Sequence, residues 1–278
     1  MALITTDWTV VGGPLRCELG ESPVSDPATG RLVVVDVTGL VVHAIESETG
    51  QVESTAVARR VTAVVARAGG GWLAVAGRDI VPFDLRTGAF GTWLSLPGPE
   101  DVALNDAVVG RDGILYTGSI DRSGGRGGEF YAVDPGGRIT VLATGVGASN
   151  GVDTSPDGRI VYHADTFAGT VTAYTAGRVG RILAQVAVQR PDGLAVDADG
   201  GVWVAHWGYG EVRRYTAALV PDRTAALPVP LVSNLAFGGP GLRRMFVTSA
   251  RSGGNPLSGA IFTATAGIPG LTAVPFPG

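Results

Sequence analysis

The sequence predicts an all-β protein, a six-bladed β-propeller with four-stranded blades around a central channel. Two observations carry this. Short apolar segments separated by tight-turn signals fill the 278 residues without a sustained helical period. The segments also repeat every roughly 40 to 46 residues, the length of one propeller blade.

In chain order the repeated strands are LVVVD (32 to 36), WLAVA (72 to 76), ILYTG (114 to 118), IVYHA (160 to 164), VWVAH (202 to 206) and MFVTS (245 to 249). Most are followed by a partner strand, such as LVVHAI, EFYAVD, TVTAYT or EVRRYT, so each unit reads as a β-meander. The intervening DPATG, DLRTG, DPGG, SPDG and DADGG are turn signals, with Asp or Pro opening the turn and Gly taking a positive φ. One four-stranded blade is too small to bury both of its faces, so the blades must pack around an axis. A single domain over residues 1–278 is therefore expected, with the N-terminal strand closing the ring against the C-terminal TAVPFPG.

Composition narrows the function. A formal net charge of -4 offers no basic footprint for nucleic acid. No apolar run approaches a membrane span and the start MALITTDWTV lacks signal-peptide regions, so a soluble, cytoplasmic protein is expected. Its partner would be a small-molecule substrate, and its oligomeric state is left open. Cys17 is the only cysteine, which excludes an internal disulfide and favours a structural role. Lysine is absent, which removes Schiff-base and Ser-Lys catalysis.

Several motifs invite chemistry. GASNG, residues 147 to 151, fits the G-x-S-x-G nucleophile elbow, but VDTSPDGRIVYHA after it reads as strand, turn and strand where the elbow needs a helix. His43, His163 and His206 fall in three different units without metal spacing; the first two read as structural or surface residues, while His206, Trp207 and Tyr209 in HWGYG are candidate pocket residues. GGRGGE and AGGGW lack Walker spacing, and DADGG lacks the remaining calcium-loop ligands.

More informative are four polar segments just ahead of the repeated strands: LGESP with Glu21, LNDA with Asn105 and Asp106, SNG with Asn150, and RPDG with Asp192. Equivalent loops of a propeller converge at one end of the channel, and Glu, Asn and Asp oxygens suit a hard divalent cation. Each segment taken alone could equally be an isolated turn.

Together with SNLAFGGPGLRRMFVTSAR (233 to 251), these segments resemble the senescence marker protein/regucalcin/gluconolactonase family of six-bladed propellers, in the family order and over nearly the whole chain. The resemblance implies one divalent metal in the channel, held by Glu21, Asn150 and Asp192, with Asn105 at the metal or its substrate-facing edge and Asp106 beside it. Calcium is the first choice, with zinc, manganese and magnesium as alternatives. It also implies hydrolysis of a lactone or related cyclic ester, with Asp192 doubling as general base. Ala103 stands where relatives commonly carry an Arg for sugar hydroxyls, and Ser25 where many have Trp, so a substrate less hydroxylated than a sugar lactone is expected. Two other readings are a metal-dependent isomerase, cyclase or lyase on the same site, and a non-catalytic binding propeller.

Overall fold

The six repeated segments each become the second strand of a blade. The computed structural model describes residues 2–4, 7–177 and 181–278, and folds them as six antiparallel four-stranded blades in a ring, with Ala2–Ile4 added as an extra, parallel strand on the outer edge of the fifth blade. The inner strands are Gly20–Ser25, Ala63–Ala66, Val102–Val109, Ser149–Thr154, Pro191–Val196 and Val232–Gly238, numbered here as blades 1 to 6. The only helical turn among the described residues is the 3-10 turn Pro240–Leu242, and no helix is long and apolar enough to cross a membrane.

The continuous apolar runs have a packing cause. In Leu32–Asp36 of blade 1, Val33 and Val35 pack with Val64, Trp72 and Ala74 of blade 2. Leu32 and Val34 face the other way, onto Phe246 and Ile261 of blade 6. Both faces of the strand are therefore covered, and the usual apolar–polar alternation of a one-sided sheet is lost. Outer strands such as Val52–Ala56 keep exposed positions because only one flank meets a neighbour.

Ring closure differs from the expectation. Thr9–Val11 does close the ring, but as the outermost strand of blade 6, pairing Thr9 with Thr263 and Val11 with Ile261. Ile261–Thr265 offers a free edge with a full set of backbone donors. In TAVPFPG, Pro275 and Pro277 lack the amides a ladder needs. That segment instead crosses one end of the channel: Phe276 is fully buried and exchanges backbone hydrogen bonds with Ala66 and Ala68 of blade 2. Arg111 of blade 3 donates to the Thr272 carbonyl at 2.8 Å.

Residues 271–274 thereby cap a chamber of about 110 Å³ that is lined by all six inner strands. The chamber is fringed by the second halves of those strands, with Val24, Val65, Val108, Val152, Ala195 and Ala236 around it. Glu21, Asn150 and Asp192 lie in the first halves of their strands, while Asp106 borders the chamber together with Ser22 and Asn234.

Candidate functional site

Five of the six inner strands share one irregularity. Against their second strands, the register slips between Glu21 and Val24, Leu104 and Ala107, Ser149 and Val152, Pro191 and Leu194, and Val232 and Leu235. Blade 2 pairs regularly. A β-bulge puts two residues opposite one and re-aims side chains. Asn105, Asn150, Asp192 and Ser233 are the first of the two residues within their slips, and Asp106, Gly151, Gly193 and Asn234 the second; in blade 1 Glu21 still pairs with Val35 and directly precedes the slip, which holds Ser22 and Pro23.

The glycines after Asn150 and Asp192 are required by space. A Cβ on Gly193 would lie 2.0 Å from Cγ of Asn234, and one on Gly151 2.2 Å from the backbone nitrogen of Leu194. Neither glycine has a positive φ, so close approach between neighbouring blades alone explains them.

The ring is knit across blades. Asn234 donates from Nδ2 to Oε2 of Glu21 and to Oδ2 of Asp106, each at 3.1 Å. Asn105 donates to Oδ1 of Asn150 at 2.7 Å and to the Ser149 carbonyl at 2.9 Å. Asn150 in turn donates from Nδ2 to Oγ1 of Thr166 at 2.7 Å.

Electrostatically the ring is acidic, and the Arg190 guanidinium offsets only part of the upward push on Asp192. Among the described residues, Glu21, Asp106 and Asp192 form no ion pair with any arginine. Burial, then the nearby Asp106 carboxylate, pushes Glu21 up to about 8. Burial raises Asp106 to about 6, and burial together with Glu21 and Asp106 raises Asp192 well above the usual carboxylate range. Below the ring, burial also raises Asp153 to about 6, where it accepts the Val196 amide at 2.8 Å. Carboxylates and amide oxygens gathered without an ion-paired arginine suit a hard divalent cation, so the residues present fit the metal that the resemblance implies.

Ser149 lies outside this ring's chemistry. Its Oγ is 2.8 Å from Nε2 of His163, but the two residues are 1% and 2% exposed. The imidazole stacks on Phe130 with centroids 4.2 Å apart, and burial lowers it to about 4. The contact is shut inside the blades, with Gly118 making room for the Ser149 side chain, and no substrate reaches it. His43 is likewise buried, with Nδ1 2.9 Å from Oγ of Ser54.

The HWGYG residues are divided. His206 is fully buried, and burial followed by the nearby Arg213 guanidinium lowers it to about 3. It pairs with Pro191, the blade position at which blades 1 and 4 carry Asp36 and Asp165. Trp207 and Tyr209 form the following turn; the Trp207 amide donates to the Arg190 carbonyl, which places that turn at the same end of blade 5 as Asp192. Tyr209 is 47% exposed there, and Phe167, on the matching turn of blade 4, is 58% exposed. Ala103 is buried. Arg78 does not replace the missing guanidinium, because its donors are committed to the carbonyls of Leu96, Pro97, Pro99 and Val102.

A second cluster brings ligand atoms of Cys17, Asp36 and His43 within 4.8 Å of one another. Asp36 already accepts the amides of Glu18, Leu19 and Gly39, and burial with the Asp36 charge pushes the Cys17 thiol up to about 12. It fastens a loop to blade 1, as Asp165 does in blade 4 by accepting the amides of Gly147, Ala148, Phe167 and Ala168.

The whole polar ring falls within residues 19–251, the stretch matched by the family model described as SMP-30/Gluconolactonase/LRE-like region. The chain belongs to this family. It is 30% identical over 255 residues to pentonolactonase XacC of Haloferax volcanii, covering 87% of this chain and 85% of that one. To regucalcin of Oryctolagus cuniculus it is 29% identical over 293 residues, covering 95% and 97%. A solved structure described as a calcium-binding protein, regucalcin, from Agrobacterium tumefaciens superposes with a TM-score of 0.89 at 23% identity, covering 99% of both chains, which shows the shared fold.

Four residues of the site region are not singled out by the sequence pattern: Asn234, Asp153, Thr166 and Phe167. The repeated Ser-Asn of SNG and SNL is a signal for Asn234, although Asn234 stands one bulge position later than Asn150.

Proposed function

We propose that the chain, acting as one propeller domain, is a divalent-metal-dependent hydrolase that opens a lactone or related cyclic ester less hydroxylated than a sugar lactone. The observation that carries this reading is the convergence of Glu21, Asp106 and Asp192, none of them in an ion pair among the described residues. Glu21, Asn150 and Asp192 would hold the ion, calcium being the first choice. Once bound, such an ion polarises the ester carbonyl and makes water a better nucleophile.

The chain's own residues supply the remainder. Asp192, at the bulge, takes the proton of the attacking water as its oxygen adds to the carbonyl carbon. The ring C–O bond then breaks and Asp192 returns that proton to the departing alkoxide, so lactone plus water gives one hydroxy acid. Asn105 presents an amide at the edge of the ring for substrate oxygen. Because residues 271–274 cap the far end, substrate enters past the rim carrying Trp207, Tyr209 and Phe167. Apolar rim side chains, with no arginine at position 103, favour alkyl- or aryl-substituted substrates.

The test is hydrolysis of a lactone panel by chelator-treated protein, before and after calcium or manganese is restored, in water enriched in oxygen-18. Metal-restored ring opening with one labelled oxygen in the new carboxylate supports the reading. No hydrolysis across the panel, or a metal-dependent product without label, would replace it with an isomerase, cyclase or lyase.

A further inference from the structure

Thr166 sits on the turn after the second strand of blade 4, and its hydroxyl touches two blades. Oγ1 lies 2.6 Å from the Pro191 carbonyl and 2.7 Å from Nδ2 of Asn150. A threonine hydroxyl has one proton to donate and lone pairs to accept. The Pro191 carbonyl can only accept, so the proton goes there. What Oγ1 offers Asn150 is therefore a lone pair, and only the NH2 end of the amide can meet it. Oδ1 is turned the other way, where Asn105 donates to it at 2.7 Å and a second lone pair stays free.

We propose that Thr166 is a positioning residue for the metal: its hydroxyl sets which end of the Asn150 amide faces the channel and ties that ligand to the residue preceding Asp192. This rests on the assignment of Asn150 as a metal ligand. A flipped amide would present NH2 to the cation, which is repulsive, so orientation and affinity are linked. Groups of this kind, one bond behind a ligand, typically change metal affinity about 10- to 100-fold.

The experiment is calorimetric titration of chelator-treated full-length protein with manganese(II) chloride, with thermal melting as a folding control. Thr166→Val, close in shape but without the hydroxyl, should weaken manganese binding roughly 10- to 100-fold. Thr166→Ser should bind close to wild type. In an Asn150→Asp background the ligand has two equivalent oxygens and nothing to orient, so adding Thr166→Val should cause no loss. If Thr166→Val does not fold, Thr166→Ala takes its place in both backgrounds.

Unchanged affinity in Thr166→Val overturns the proposal, as does an equal loss in Thr166→Ser or a loss that persists in the Asn150→Asp background. Asn150→Ala separates the two levels of the argument. Wild-type affinity in that variant would remove Asn150 as a ligand. Weakened binding there with unchanged Thr166→Val would remove only the role of Thr166.

Discussion

The Nδ2 atom of Asn234 lies 3.1 Å from Oε2 of Glu21, joining blade 6 to blade 1 across 213 residues of sequence. The same nitrogen also donates to Asp106, so one neutral amide stands between two carboxylates that would otherwise meet unshielded. Removing it by Asn234→Leu leaves both without that donor, Asp106 keeping only the Ala107 amide and Glu21 the Ser22 amide. We expect metal affinity to fall roughly 10-fold with the fold retained, as read by manganese titration and circular dichroism.

Space between the blades yields a second prediction. Gly193→Ala and Gly151→Ala each push a methyl group into a neighbouring blade, at 2.0 Å from Asn234 and 2.2 Å from the Leu194 backbone. Each should cost about 1–3 kcal/mol in denaturant unfolding, the usual penalty of overpacking. Gly253→Ala, with nothing within 4 Å and no positive φ, is the control and should change little.

Much of this architecture was legible in the sequence, and the reason is local. Strands such as Leu32–Asp36 and Val202–His206 are buried on both faces and bounded by Asp and Gly turns, so they stand out as apolar runs at blade spacing. The choice of partner for Thr9–Val11 was not legible, because it depends on which strand edge is left free after six blades have formed. The bulges were hidden for a similar reason: a register slip at Asp192 is defined against Pro191–His206 pairing in another strand. Thr166 acts through contacts with Asn150 and blade 5 and carries no local pattern that separates it from an ordinary Thr, while Asn234 has only the Ser-Asn it shares with residues 149 and 150.

Blade 5 contains a buried ionic knot whose disruption should be costly. Arg214 contacts Asp197 through Nε at 2.7 Å and Asp222 through Nη1 at 2.6 Å, while Trp203 Nε1 also donates to Asp197 at 2.9 Å. Asp197 is 0% exposed. Arg214→Met would leave the Asp197 charge buried with only neutral donors, and should lower stability by about 3–5 kcal/mol. A shift of the urea midpoint measures it.

Acid stability follows from two histidines. Burial lowers His163 to about 4 and, with Arg213, His206 to about 3, against an ordinary value of 6.5. Between those limits the unfolded chain binds protons that the folded chain refuses. Their contribution is complete above pH 6.5 and is lost as pH falls toward the folded values, by about 1.4 kcal/mol per pH unit for each histidine. Denaturant unfolding at a series of pH values should show a shallower acid slope in His206→Gln than in wild type; equal slopes would contradict the assignment.

The rim predicts selectivity. Phe167 and Tyr209 are exposed on the turns after the second strands of blades 4 and 5, and under the proposed function they would meet an apolar substituent on the ring being opened. Phe167→Ala with Tyr209→Ala should lower kcat/KM for alkyl- or aryl-substituted lactones roughly 10-fold, mainly through KM, and leave small unsubstituted lactones nearly unaffected. Steady-state kinetics on matched substrate pairs decides it.

Whether Glu21, Asn150 and Asp192 hold one divalent ion in the channel is decided by equilibrium dialysis against calcium and manganese followed by elemental analysis. The wild-type chain should retain about one ion and a folded Asp192→Ala variant almost none. Wild-type protein that retains no ion, or a variant that retains as much as wild type, would contradict it.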